Sequence, residues 1–258
     1  MKEFFGFGGY TREPEGFLSW QHILFVSFLL ITMVLLSIFI GKANRLKSYK
    51  QQNKVLIWAA ILIDGFELLK IVIACLNAGS YRPILLNLPL FLCSIQLIAI
   101  PMAAFTTGRI KEASLDFVCI FGILGAVFGP IGAGQDYNAY PVLSFDNVVS
   151  GVTHCISGFA SLYILISGMA SMKKKNIGLT LSILTFFCIA AYIANVTIPY
   201  NYMFLMAGDG TPYDILFNLV GGNPVLYPAM VIGLFFVYIV VFYSLYYKFS
   251  RKPVEVNN

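Results

Sequence analysis

The chain has 258 residues, 59% of them hydrophobic and 11% charged, against about 25% charged in soluble domains, and a mean hydropathy of +0.80. That length leaves room for one membrane bundle with short loops and none for a separate soluble domain. The net charge of +5 points to no nucleic-acid partner, because the cations lie in short loops beside apolar segments, where they report membrane topology.

Residues 1–19 mix Gly and Phe with balanced charges and carry no basic n-region or cleavage site, so they predict an extracytoplasmic segment and not a removable signal. The predicted fold is all-α, a polytopic bundle of seven transmembrane helices occupying residues 20–247. The first span runs from Trp20, at interface depth, to Ile40. A basic loop (Lys42, Arg45, Lys47, Lys50, Lys54) leads to the second, Val55 to Leu76, which carries Asp64, Glu67 and Lys70. The third spans Pro83 to Thr106, and Arg109 and Lys111 follow it. The fourth, Ala113 to Ala133, has Gly122, Gly125 and Gly129 at a spacing that lets helices approach closely. Residues 134–146 form a polar loop without Lys or Arg. The fifth span covers Asn147 to Met169 and ends at Lys173, Lys174 and Lys175; the sixth covers Ile177 to Ile198. A polar connection from Pro199 to Asn223 precedes the last span, Pro224 to Tyr247, and residues 248–258 form a basic tail.

Thirteen of the seventeen Lys and Arg fall in alternate loops and the tail, three on the opposite side, and Lys70 inside a span. The positive-inside rule then puts the N-terminus outside and the C-terminus in the cytoplasm. Topology turns sequence position into depth. At about 1.5 Å per residue, Cys93 lies roughly 16 Å below the outer surface and His154 roughly 12 Å, with Glu67 roughly 20 Å up from the inner side. Glu67, Cys93, His154 and Asn195 thus share an outer-half layer, although they belong to four spans.

Each has a bland reading. Glu67 can pair with Lys70 at i+3, or with Asp64 on its own face. Cys93 can be a small hydrophobe in the packing, as Cys75, Cys119, Cys155 and Cys188 are expected to be, with no CxxC spacing for zinc or a disulfide framework. His22, near the interface, is expected to be solvated. The functional reading rests on the combination. A thiolate nucleophile needs a base or a cation beside it, and an imidazole needs an acceptor to fix its tautomer. Pro89 removes a backbone donor just before Cys93, and irregular helix at depth requires cover from protein or a water-filled cavity.

The run LPLFLC (Leu88 to Cys93), VTHC with His154, and ANVTIPYNYMFL (Ala194 to Leu205) resemble the YwaF-type integral membrane proteins of bacteria, whose pattern is LPLHLC, a later Ser-His, and N-x(4–5)-NYMFL. The resemblance covers most of residues 55–245 and includes an acidic residue at Glu67. That family is similar to a eukaryotic multispan acyltransferase acting on ether lysophospholipids, whose Cys and His correspond to Cys93 and His154, and more distantly to Thr/His hydrolases of fatty-acid esters. The resemblance therefore implies a catalytic Cys93 and His154, a bacterial plasma membrane, and a membrane lipid or acyl-chain substrate. Phe91 stands where the family has His, Thr153 where it has Ser, and residues 222–227 lack the two Trp of GPWPWY.

Two function classes remain. One is a lipid-directed acyltransferase or lipid hydrolase, in which His154 deprotonates Cys93, with Glu67, Asn87, Asn195, Asn201 and Tyr202 expected to bind substrate and Asn195 or Asn87 to face the oxyanion. The other is a small-solute or proton-coupled transporter built on Asp64, Glu67, Lys70 and His154. A third use of the polar layer is helix association in a structural partner subunit. No metal or cofactor motif is visible.

Overall fold

A computed structural model describes residues 2–132 and 134–249, so Arg251, Lys252 and the rest of the basic tail beyond Phe249 lie outside the described residues. Among the described residues the secondary structure is entirely helical, with helices α1 (Trp20–Asn44), α2 (Tyr49–Ala78), α3 (Arg82–Leu86), α4 (Gln96–Phe105), α5 (Gly108–Gly132), α6 (Gly134–Ala139), α7 (Phe145–Ser167), α8 (Ile177–Thr197), α9 (Asp214–Leu219) and α10 (Leu226–Phe249). Five stretches among them are long and apolar enough to cross a membrane: α1, α5 with α6, α7, α8 with the short turn before it, and α10. The second predicted span is α2, thirty residues long but interrupted by charge. The third is not one helix. Residues 87–95 leave the α-helical path between α3 and α4, with Pro89 near their middle.

The chain divides into two compact units, residues 1–170 and residues 171 onward. In the first, α7 packs against α1, α2 and α5, and α4 lies against α2 and α5. The helix-end contacts fix the direction of each pass. At one end, Gln52 near the start of α2 donates to the Asn44 carbonyl of α1 and to the Ser167 carbonyl of α7, each at 3.1 Å. Asn53 reaches the Ala104 carbonyl of α4 at 2.8 Å, and Lys111 of α5 reaches Asn53 Oδ1 at 2.7 Å. At the other end, the N-terminal segment ties the helices together. The Phe4 carbonyl accepts from the Phe145 amide, and Asn77 of α2 donates to the Phe5 carbonyl. Glu15 Oε2 accepts from the Val142 amide at 2.8 Å, and Asn138 Oδ1 from the Phe17 amide at 2.8 Å. Residues 20–167 therefore make five passes between these two ends, with α2 running antiparallel to α7 along its length.

His22 is not solvated; it is 2% exposed and joins the N-terminal segment to α5. Its Nδ1 accepts from the Leu18 amide at 3.2 Å, so Nε2 is the nitrogen that donates to the Pro130 carbonyl at 3.1 Å. In the N-terminal segment itself, the Thr11 hydroxyl donates to Glu3 Oε1 at 2.6 Å, which with the Arg12 and Thr11 amides holds that carboxyl below its ordinary range.

The second unit pairs α8 with α10. Thr180 and Tyr243 meet through their hydroxyls at 3.2 Å, and the Tyr247 hydroxyl closes on the Met172 carbonyl. Between the helices, Met203 and Phe204 both adopt left-handed backbone (φ 55° and 56°), a conformation that side chains disfavour. Hydrogen bonds described below hold them there.

Candidate functional site

The break at residues 87–95 delivers Cys93 to the start of α4. Asn87 ends α3 by turning its amide back to the Pro83 carbonyl at 2.8 Å, satisfying an acceptor the helix leaves open. Pro89 follows with no donor to offer a helix. The Ser94 hydroxyl then closes a turn in both directions, accepting from the Phe91 amide at 2.9 Å and donating to the Phe91 carbonyl at 3.1 Å. From there i→i+3 bonds wind the chain into α4: Gln96 N to Cys93 O at 3.3 Å, Leu97 N to Ser94 O at 3.0 Å and Ile98 N to Ile95 O at 2.9 Å. Among the described residues the backbone N–H groups of Cys93 and Ser94 donate to no backbone carbonyl.

The thiol and the His154 imidazole lie within interaction reach of each other. His154 Nδ1 lies 2.7 Å from the Ser150 carbonyl one turn earlier on α7. A carbonyl oxygen can only accept, so Nδ1 carries the proton and the neutral ring has its lone pair on Nε2. That is the nitrogen left for the Cys93 thiol. The Thr153 hydroxyl shares the Ser150 carbonyl at 2.9 Å.

The glycines of α5 provide the space. A Cβ at Gly129 would lie 2.1 Å from His154 Cδ2 and 2.2 Å from its Nε2, and one at Gly125 would lie 3.1 Å from Cys93 Cβ. At Gly122 a Cβ would meet the Ser157 carbonyl of α7 at 2.8 Å. Sequence spacing marked these glycines as a close-approach face; the structure adds that two of them accommodate the Cys93 and His154 side chains.

Glu67 and Lys70 form an ion pair at 2.8 Å, their side chains 13% and 14% exposed. Lys70 also lies within electrostatic reach of Asp146, Asp136 and His154. Asp136 and Asp146 fall in what reads from sequence as a polar loop; α6 and the first turn of α7 bring them within electrostatic reach of Lys70. Asp64, one turn before Glu67, is exposed.

Asn195, Asn201 and Tyr202 belong to the second unit, where they hold its strained turn. Asn195 clasps the Tyr202 backbone from both sides, accepting from its amide at 2.7 Å and donating to its carbonyl at 3.0 Å. Asn201 donates to the Ala207 carbonyl at 2.8 Å and to Asp209 Oδ2 at 2.6 Å, and accepts from the Met206 amide at 2.9 Å. The Tyr202 residue is fully buried. For Asn195 or Asn87 to face an oxyanion, each would first have to give up these bonds.

All five cysteines are free. Cys155 donates to the Leu29 carbonyl at 3.4 Å, Cys119 lies 3.9 Å from the Ser161 carbonyl, and Cys188 lies 3.8 Å from Met203 Sδ. Among the described residues no three His, Cys, Asp or Glu side chains gather as a metal site requires.

No curated protein and no solved structure matches the chain. The sequence model of the TMEM164 family matches residues 17–246, which takes in every helix that carries the Cys93–His154 pair. The chain is a multi-pass membrane protein that belongs to the TMEM164 family.

Proposed function

We propose that the protein is a lipid-directed acyl-transfer enzyme of the bacterial plasma membrane, with Cys93 as nucleophile and His154 as general base. The observation that carries this reading is the placing of Cys93 and the His154 ring against successive α5 glycines, within reach of each other, with the Ser150 carbonyl on the other ring nitrogen. It supplies a base with its lone pair left for the thiol and an acceptor that keeps it there. His154 Nε2 takes the thiol proton as Cys93 Sγ attacks the acyl carbonyl of a lipid ester. The ester C–O bond breaks, the leaving alkoxide takes the proton from His154, and a Cys93 thioester remains. A lysolipid hydroxyl or water then loses its proton to His154 and attacks the thioester, and the departing thiolate is reprotonated. The sequence resemblance, which implies a Cys/His acyltransferase, points to the same assignment, and Phe91 leaves it intact because the base sits on α7.

The proposed topology has seven spans, with the N-terminus outside and the tail beyond Tyr247 cytoplasmic, so that the pair lies in the outer half of the bilayer where an acyl chain arrives laterally. Glu67, paired with Lys70, is assigned to the polar end of the substrate. Asn201 and Tyr202 are assigned to shaping the second unit's connecting loop.

A lipid-like thiol-reactive probe applied to the detergent-purified protein over a pH series tests the pair. Cys93 is expected to label ahead of the other four cysteines, and His154→Ala to shift its labelling to higher pH. With an acyl ester, Cys93→Ala and His154→Ala are each expected to abolish turnover while eluting as folded protein. A fully active Cys93→Ala variant would falsify this assignment.

The carboxylates gathered around Lys70 favour one alternative, a solute- or proton-coupled transporter. Transport would depend on Glu67 and tolerate Cys93→Ala, the reverse of the dependence expected for acyl transfer.

A further inference from the structure

Gln96, the first residue of α4, is fully buried at 0% exposure, and among the described residues neither its Oε1 nor its Nε2 finds a hydrogen-bond partner. An amide buried without partners is destabilising, since it has given up water and gained nothing. The neighbouring polar side chains do have partners: Asn87 with Pro83, Ser94 with Phe91 and His154 with Ser150. Such an exception at a candidate reactive centre asks for a partner that arrives only during the reaction.

The local backbone indicates where that partner would be. Gln96 N bonds to Cys93 O in an i→i+3 turn, and residues so related eclipse each other on one face. Helical side chains lean toward the N-terminus, so a residue covers the turn before its own Cα. For Gln96 that turn is residues 92–95, which contains Cys93. The N–H groups of Cys93 and Ser94 flank Sγ along the chain, and among the described residues neither donates to a backbone carbonyl. They lie at the start of α4, whose helix dipole is positive at that end.

We propose that Gln96 Nε2, with the backbone N–H groups of Cys93 and Ser94, forms the oxyanion hole of the acyl-transfer site. The assignment rests on the Cys93–His154 reading above and completes it. When Sγ bonds to the acyl carbon, the carbonyl π pair moves onto oxygen. That oxyanion accepts from the two backbone donors and from Nε2, and returns the pair to carbon as the ester oxygen leaves. The donors are preorganised in a water-poor site, where such bonds contribute most. The role otherwise given to Asn87 or Asn195 falls to a side chain with nothing else to bond.

The test uses the full-length protein in detergent micelles with p-nitrophenyl palmitate as acyl donor, following p-nitrophenolate release and the Cys93 thioester by intact mass. Gln96→Leu keeps the volume and removes the amide. It is expected to slow acylation by about 10²–10³-fold, chiefly in kcat. Thiol labelling of Cys93 and its pH dependence should not change, because the Cys93–His154 pair is untouched. The melting temperature should stay level or rise, because an orphaned amide has been removed; a purely structural Gln96 would give a lower one. Gln96→Glu, a packing-matched control that places a carboxyl against the oxyanion, should be at least as slow. A wild-type protein that forms no Cys93 thioester overturns the acyl-transfer reading and this one with it. A thioester formed as fast by Gln96→Leu as by wild type overturns the Gln96 assignment alone.

Discussion

Lys70 is the shared cation of three carboxylates, Glu67 at 2.8 Å and Asp136 and Asp146 at longer range. Breaking a mostly buried pair by removing one partner costs about 3–5 kcal/mol, because the other charge stays behind uncompensated. Lys70→Met is expected to be worse than Glu67→Gln, since it strips the cation from all three, whereas Glu67→Gln leaves Lys70 facing two acids. The double variant Glu67→Gln, Lys70→Met should recover part of the loss, and urea or thermal unfolding in detergent measures it. Additive losses in the double variant would mean that Glu67 and Lys70 are not coupled. At this scale sequence reading is uneven for a physical reason. The Glu67–Lys70 bridge follows from i, i+3 spacing and could be written down from the chain alone. Cys93 and His154 could be paired only as residue types, because their contact crosses sixty residues. Gln96 is not distinguished in the sequence, because an orphaned amide is visible only once its surroundings are known.

The glycines of α5 act as a set along one helix face. At Gly129 an added methyl would overlap the His154 ring at 2.1–2.2 Å, so the ring must turn away from Cys93. Misplacing a catalytic group by about 1 Å can cost about 10²-fold in rate, which is the loss expected for Gly129→Ala, with Cys93 labelling moved to higher pH. Gly125→Ala, at 3.1 Å from Cys93 Cβ, requires a shift of only a few tenths of an ångström and should be milder. Gly122→Ala meets the Ser157 backbone carbonyl, which cannot swing aside, so α5 and α7 must separate. It should lower stability by about 1–3 kcal/mol without a specific effect on labelling. Equal effects from all three would assign the glycines to packing alone. The close-approach face was legible from spacing, because small residues at helical intervals mean the same thing in any bundle. The break in the third predicted span is legible only in part. Pro89 marks a weak point, but the Asn87 cap and the Ser94 turn that extend it over residues 87–95 depend on backbone geometry.

Charge bias alone leaves the pass count open, because α2 and the α3–α4 segment form an adjacent pair. Removing both from the membrane would leave Lys42 to Lys54 and Arg109 to Lys111 on the same side, so a five-span and a seven-span chain obey the positive-inside rule equally well. They differ only between α2 and α3. The proposed seven spans rest on the helix-end contacts of the first unit. Gln52 at the start of α2 bonds to the end of α7, while Asn77 at its far end bonds to the N-terminal segment, which also receives the start of α7. A thirty-residue helix is about 45 Å long, enough to cross a hydrocarbon core of about 30 Å. If α7 crosses, α2 crosses beside it, and the chain must return through the broken α3–α4 segment to bring Ala104 back to Asn53. Tyr81, 83% exposed, lies in that discriminating turn; Leu46, 99% exposed, lies in the basic loop. Single cysteines replacing Tyr81, Leu46 and Glu13, read over the background of the native thiols, can be challenged with a membrane-impermeant maleimide on intact cells and again after permeabilisation. Glu13→Cys and Tyr81→Cys are expected to label at once and Leu46→Cys only after permeabilisation. A Tyr81→Cys that labels with Leu46→Cys would place α2, α3 and α4 without a crossing and overturn the seven-span topology.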